Sequence, residues 1–174
     1  LSTYPIYSTH FASADKRILK SARGNVMTSI KAKALCIFRY ENKSLLSFGY
    51  DPSKNEHYLR PIGGGIEFGE TSLQAIEREV LEEINQQITH SKLIGVLENL
   101  FSFDGQQGHE VVFVYEAEFV DPTLYSQTKI NGYESDGSTY IAQWMTLQQL
   151  VSEQYPVYPK GIEQWLFANR QPNL

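Results

Sequence analysis

The chain has 174 residues, long enough for one domain with a sizeable core. Its 41% hydrophobic and 20% charged residues are ordinary globular values and give no reason to expect long disordered tracts. A net charge of −5 argues against stable nucleic-acid binding, which draws on a basic surface releasing counterions. It leaves room for a nucleotide ligand, because a bound cation reverses the local sign. The one cysteine, Cys36, rules out an internal disulfide and reads as a buried thiol in a reducing compartment. No apolar run approaches the roughly 18 residues of a membrane span, and the N-terminal residues lack a signal-peptide core. The expected location is the cytoplasm, with no membrane partner.

In chain order, residues 1–25 show no clear period and read as an N-terminal arm. Residues 27–39 alternate apolar and polar side chains, and 43–50 repeat that composition after a turn at Glu41 and Asn42, so both read as strands. Residues 51–56 are a polar loop, and 57–62 lead into three glycines. A helix starts at Thr71, an N-cap with Gln74 three residues on in capping-box spacing, and runs to about Asn85. Residues 92–103 and 109–120 read as long strands around a DGQQG turn at 104–108. Residues 121–137 read as an irregular excursion, 140–145 as a strand, 146–154 as a short helix behind a Thr cap, and 161–168 as a terminal helix. Strands on both sides of a central helix, with another helix at the end, predict a single α/β domain: an α/β/α sandwich around a mixed sheet.

At about 100° per residue, Glu79, Glu82 and Glu83 share one arc of the central helix, while Leu73, Ile76, Val80 and Ile84 form a packing arc. Like charges at this spacing repel by roughly a few tenths of a kcal/mol per pair, so the helix gains nothing locally from them. A hard divalent cation would remove that cost. Mg2+ prefers oxygen ligands and is typically held by one or two carboxylates plus substrate phosphates. The glycines before the helix allow close backbone approach and leave a carbonyl, that of Gly64, to point at the ion. A solvated acidic helix behind a flexible loop would explain any single glutamate here. It does not explain the glycines, the cap, the Arg78-Glu79 pair and their register together.

The segment from Gly64 to Gln86 resembles the signature of the Nudix hydrolases, G-x5-E-x7-R-E-U-x-E-E-x-G-U with U aliphatic. Gly64, Glu70, Arg78, Glu79, Val80, Glu82 and Glu83 match in register. Asn85 replaces a glycine and Gln86 an aliphatic residue; Asn is the next-best residue for a left-handed helix end. The resemblance extends over roughly residues 27–168. It implies a Nudix-like α/β/α fold over the single domain 1–174 and Mg2+, with Mn2+ as an alternative, as cofactor. The implied reaction is hydrolysis of a phosphoric anhydride bond in a nucleoside diphosphate linked to another moiety. By the same resemblance Glu79, Glu82 and Glu83 are ligands beside the Gly64 carbonyl. Arg78, which also reads as an ordinary ion-pair partner of Glu82, orients carboxylates, and Glu70 supports Arg78 or the metal network.

The general base is not fixed by the signature. Some nucleotide-cleaning members carry a glutamate before the Trp of a late strand, where this chain has Gln143 before Trp144, and an amide cannot take that proton. Glu110, on the strand face of Val112 and Val114, is the candidate for base or extra ligand and reads equally as a rim glutamate; Glu82 or Glu83 could share the role. Arg39 and Arg60 flank the site in sequence and are candidates for phosphate binding, or for solvated or paired side chains. Tyr50, Tyr58, Phe101, Phe103 and Tyr133 are candidates for a base-stacking wall. The region near Phe101 lacks the proline of the ADP-ribose branch, which points to another substrate group. The expected partner is a small nucleotide derivative, with a homodimer left open. The competing reading is a catalytically silent nucleotide-sensing module, which would be expected to lose signature carboxylates that this chain keeps.

Overall fold

The computed structural model describes residues 29–134 and 137–167. The proposed N-terminal arm, the start of the first predicted strand and the end of the terminal helix at residue 168 lie outside them. One sheet has the order β1 (Lys31–Ile37), β6 (Gln106–Phe119), β5 (Ile88–Phe103), with β1 parallel and β5 antiparallel to β6. The second runs β2 (Arg39–Tyr40), β3 (Lys43–Asp51), β8 (Thr139–Thr146), β7 (Lys129–Tyr133), and β4 (Glu56–Arg60) pairs with the far end of β3. Helix α1 (Ser72–Ile84) packs on one side of these sheets. The other side is covered by α2 (Leu147–Glu153), α3 (Glu163–Leu166) and the chain between them. The sandwich is therefore the expected one, with its strands divided between two sheets.

Strand alternation makes both core layers. On β1, Ala34 and Cys36 face α1, where they meet Ile76, Val80 and Trp144, while Leu35 and Ile37 face Leu150, Ile162 and Leu166. Phe38 is fully buried and stacks on Phe119 with ring centroids 4.0 Å apart. Cys36 is buried as expected. Burial, and then the charge of Glu116, push its thiol pKa well up, so it offers no thiolate nucleophile.

The β5-β6 connection is tighter than the DGQQG turn expected. Phe103 pairs with Gln106, and Asp104 and Gly105 take φ of 47° and 72°, a two-residue turn with both central residues left-handed. Residues 121–137 are also less irregular than expected. They hold a 3-10 turn (Pro122–Ser126) capped by Asp121, then β7, which pairs with β8 from Lys129↔Gln143 to Tyr133↔Thr139. The sequence KINGY hides this strand because Asn and Gly are weak β-formers. The ladder to β8, not local propensity, makes it.

Asp51, at the end of β3, ties that strand to the β5-β6 turn. Its Oδ1 accepts from Ser53 N–H, Ser53 Oγ and Asp104 N–H, and its Oδ2 pairs with Lys54 Nζ at 3.0 Å. Burial pushes this carboxyl up, but the hydrogen bonds outweigh burial and hold it well below the usual carboxylate range. A native pKa depressed below the unfolded value of about 3.9 gives stability that is present above that value and lost as pH falls through it toward the native pKa. Thermal melts of wild type are expected to lose midpoint between about pH 5 and the acid limit, and Asp51→Asn to lose less over the same window. An equal acid slope in the two proteins would remove Asp51 as a cause.

Candidate metal and catalytic site

The glycine-rich loop is laid against the free edge of β1. Ala34 N–H donates to the Gly64 carbonyl (3.0 Å), Cys36 N–H to the Ile62 carbonyl (2.8 Å), and Ile66 N–H to the Ala32 carbonyl (3.0 Å). The Gly64 carbonyl, expected from the sequence to be free for the ion, already accepts this one hydrogen bond; its second lone pair is the one left for a ligand. The loop enters α1 through the predicted capping box, with Thr71 Oγ1 accepting from Gln74 N–H (3.2 Å) and Gln74 Oε1 accepting from Thr71 N–H (2.9 Å). At the other end Asn85 adopts φ 52°, ψ 43°, the left-handed conformation its substitution for glycine allows. Asn85→Ala is expected to lose about 1 kcal/mol and Asn85→Gly essentially nothing. Equilibrium denaturation checks this, and equal stability of Ala and Gly variants would contradict it.

Arg78 is the hub of the loop and helix. Its Nε donates to Glu70 Oε2 (3.1 Å) and its Nη2 to Glu70 Oε1 (2.6 Å), a bidentate grip. Nη2 also donates to the Gly65 carbonyl (2.9 Å), while Nη1 donates to Glu82 Oε2 (3.0 Å) and pairs with Glu79 Oε1 (3.1 Å). Glu70 accepts in addition from Glu67 N–H (2.8 Å). The Arg78 hydrogen bonds lead in holding its carboxyl below the ordinary range. The arginine is thus both an ion-pair partner of Glu82 and the brace of the whole turn.

The three helix carboxylates do not behave alike. Glu82 is 60% exposed and turned to Arg78. Glu79 lies against Gly64, so closely that a Cβ there would stand 2.5 Å from its Oε1. Glu83, on the same helical arc as Glu79 and Glu82, is only 4% exposed, and its Oε2 accepts from the Tyr140 hydroxyl at 2.5 Å. Leu73, expected in the packing arc, is instead 38% exposed. Burial pushes Glu83 up to about 7 against the opposing effects of Tyr140 and Arg60, and burial also raises Glu79. The two are close enough that the charge of Glu79 adds to the upward shift of Glu83.

No three His, Cys, Asp or Glu side chains among the described residues stand together as a metal-holding cluster. The fit of a divalent cation therefore rests on Glu79 and Glu83. They are inward-turned carboxylates one turn apart, and Gly64 supplies the space one of them occupies. Two carboxylates with a backbone carbonyl are hard oxygen donors of the kind Mg2+ takes, and the set fits.

The remaining candidates separate. Arg60 lies near Glu83, pairs with Glu134, and sits on β4 two residues from Tyr58, whose ring covers Gly49. Arg39 does not join them: it pairs with Glu116 and donates to the Trp165 carbonyl (2.9 Å), inside the opposite end of the sandwich. Glu110 does not join them either. Alternation puts it on the side of Val112 and Val114, where it pairs with Lys33 (3.2 Å), whose charge also acts on Glu79, and accepts from Asn99 Nδ2 (3.2 Å). Among the aromatics, Tyr50 hydrogen-bonds Asn55 and Phe101 lies over Gly108. Phe103 meets Tyr58 edge to face. Tyr133 lines an open depression of about 680 Å³ with Phe48, Tyr140 and Gln143. Tyr140 and Glu134 were missed from sequence. The alternation Tyr140, Ala142, Trp144 signals the face of Tyr140, but nothing local signals its partner.

Several solved structures share this fold. A NUDIX hydrolase from Nitrosomonas europaea is 21% identical, the match covering 78% of this chain and 85% of that one with a TM-score of 0.54. The E. coli ORF135 protein is 18% identical over 84% of this chain and 96% of that one, TM-score 0.53. A MutT protein from Bacillus halodurans is 18% identical over 80% and 81%, TM-score 0.50. At these identities the likeness is one of fold. A search of curated proteins returns no match. The fold with its braced loop and helix defines a Nudix-type hydrolase. The chain belongs to the Nudix family, whose NUDIX domain model matches residues 30–166.

Proposed function

We propose that this protein is a Mg2+-dependent pyrophosphohydrolase, with Mn2+ as an alternative ion, that cleaves a phosphoric anhydride bond in a nucleoside diphosphate linked to another moiety. The observation that carries the reading is the pair Glu79 and Glu83, two shielded carboxylates facing inward from one helix beside a glycine that leaves room for them. Glu79, Glu83 and the second lone pair of the Gly64 carbonyl would hold the ion, with Glu82 at the rim. When bound, Mg2+ supplies Lewis acidity to phosphoryl oxygens and lowers the pKa of a water.

The chain's own residues do the rest. Arg78 fixes the loop carbonyl of Gly65 and the carboxylates of Glu70, Glu79 and Glu82, so that the site is set before substrate arrives. Arg60, close to Glu83, is placed to take a substrate phosphate in exchange for Glu134. Tyr58, two residues from Arg60 on β4, is the proposed stacking partner of a base. Arg39 and Glu110, paired elsewhere, are assigned no part in the reaction.

The test is a panel of nucleotide sugars, dinucleoside polyphosphates and nucleoside triphosphates with Mg2+, assayed for phosphate-containing products. Hydrolysis of at least one member, abolished by EDTA and restored by Mg2+ or Mn2+, is expected. Silence across the panel with tight binding of any member would overturn catalysis in favour of a sensing module.

A further inference from the structure

We infer that Tyr140 is a positioning residue for Glu83, locking one carboxylate oxygen so that the other is presented to the cation; this rests on the functional reading above. The phenol has one proton to give, and it goes to Glu83 Oε2 at 2.5 Å, with both side chains buried. Hydrogen bonds to an ionised acceptor are shorter and roughly twice as strong as neutral ones. No described residue donates to Glu83 Oε1. The bond therefore divides the carboxylate into a tethered oxygen and a disengaged one.

The tyrosine is itself held. Its strand neighbours Ala142 and Trp144 are in the core layer facing α1, and its ring packs against Gly132 on β7. A Cβ at residue 132 would stand 2.2 Å from Tyr140 Cζ, so only glycine lets the ring settle there. The register Gly132↔Tyr140 is fixed by the β7-β8 ladder. The weak β-former that hides β7 in the sequence is thus the residue that seats the tyrosine. A free glutamate side chain loses rotamer freedom when it binds a cation. One already tethered by a neighbour has lost it on folding, which is the general effect of outer-shell partners on metal ligands.

The experiment uses the full chain with Mn2+ as the probe. Free Mn2+ is followed by electron paramagnetic resonance in titrations of wild type, Tyr140→Phe, Glu83→Gln and the double variant, with thermal melts in EDTA. Tyr140→Phe is expected to raise the Mn2+ dissociation constant about 10- to 100-fold while the protein stays folded, its melt in EDTA lowered by no more than an unsatisfied buried acceptor costs. The Mg2+ concentration for half-maximal hydrolysis should rise in step. In the Glu83→Gln background the same change should cost almost nothing, because Tyr140 acts through Glu83. A merely structural role would give equal losses in both backgrounds and overturns the inference, as does unchanged Mn2+ affinity in Tyr140→Phe. Gly132→Ala, which displaces the ring, should repeat the loss if it folds, and normal affinity in a folded Gly132→Ala protein also counts against it. Wild type that binds no Mn2+ overturns the functional reading together with this one. Wild type that binds, beside a Tyr140→Phe variant that binds equally, removes only the role of Tyr140.

Discussion

Glu79→Gln and Glu83→Gln should each lose hydrolysis by on the order of 10³-fold, the equivalent of several kcal/mol of Lewis-acid stabilisation at about 1.4 kcal/mol per tenfold. Both replacements keep shape and remove only charge. In Glu83→Gln the side-chain amide oxygen can still accept from the Tyr140 hydroxyl, so the buried contact survives. Removing a buried carboxylate that burial already pushes toward neutrality should not unfold the protein. Glu82→Gln is expected to lose less, since that side chain is 60% exposed and turned to Arg78. Steady-state kinetics at saturating Mg2+ alongside thermal melts checks the ranking. Near-normal turnover by Glu79→Gln and Glu83→Gln would remove both as ligands.

Gly64→Ala is the second large effect, and it separates catalysis from folding. The added methyl would stand 2.5 Å from Glu79 Oε1 and 2.6 Å from its Cδ. What must give way is the far end of a flexible side chain, so the fold should lose less than about 1 kcal/mol while the carboxylate is driven from its place. Misplacement of a reacting group by about 1 Å can cost on the order of 10²-fold. Gly65→Ala is the control: a Cβ there meets nothing within 4 Å, and activity should be close to wild type. If the two alanine variants are equally active, the seat of Glu79 at Gly64 has no functional meaning. If both are dead, the loop itself must move.

The candidate site was legible in the sequence to the extent that it is local. The cap at Thr71, the left-handed end at Asn85 and the shared helix of the carboxylates on α1 depend on residues within one helix and its flanks, and these appear in the structure. The division of labour among the carboxylates was not legible. Glu79 is placed by contact with the glycine loop before the helix, and Glu83 by a tyrosine 57 residues away on β8. A helical wheel shows an arc but not what faces it. The same limit explains Arg39 and Arg60, equivalent as cations near the glycines in sequence. One is drawn to Glu116 and the Trp165 carbonyl, the other left beside Glu83. Glu110 shows the same limit: its strand face was read correctly, but its pairing with Lys33, whose charge also reaches Glu79, comes from strand register and not from local sequence.

By itself, then, the sequence determined the longer strands, the loop-cap-helix unit and the family signature, because periodicity, capping and turn chemistry act over a few residues; β7 came only from its ladder to β8. Only the tertiary structure decided which carboxylates are shielded, which arginine stays near them and which tyrosine grips Glu83. Those outcomes depend on desolvation and on pairing between strands distant along the chain. Neither leaves a mark on local composition.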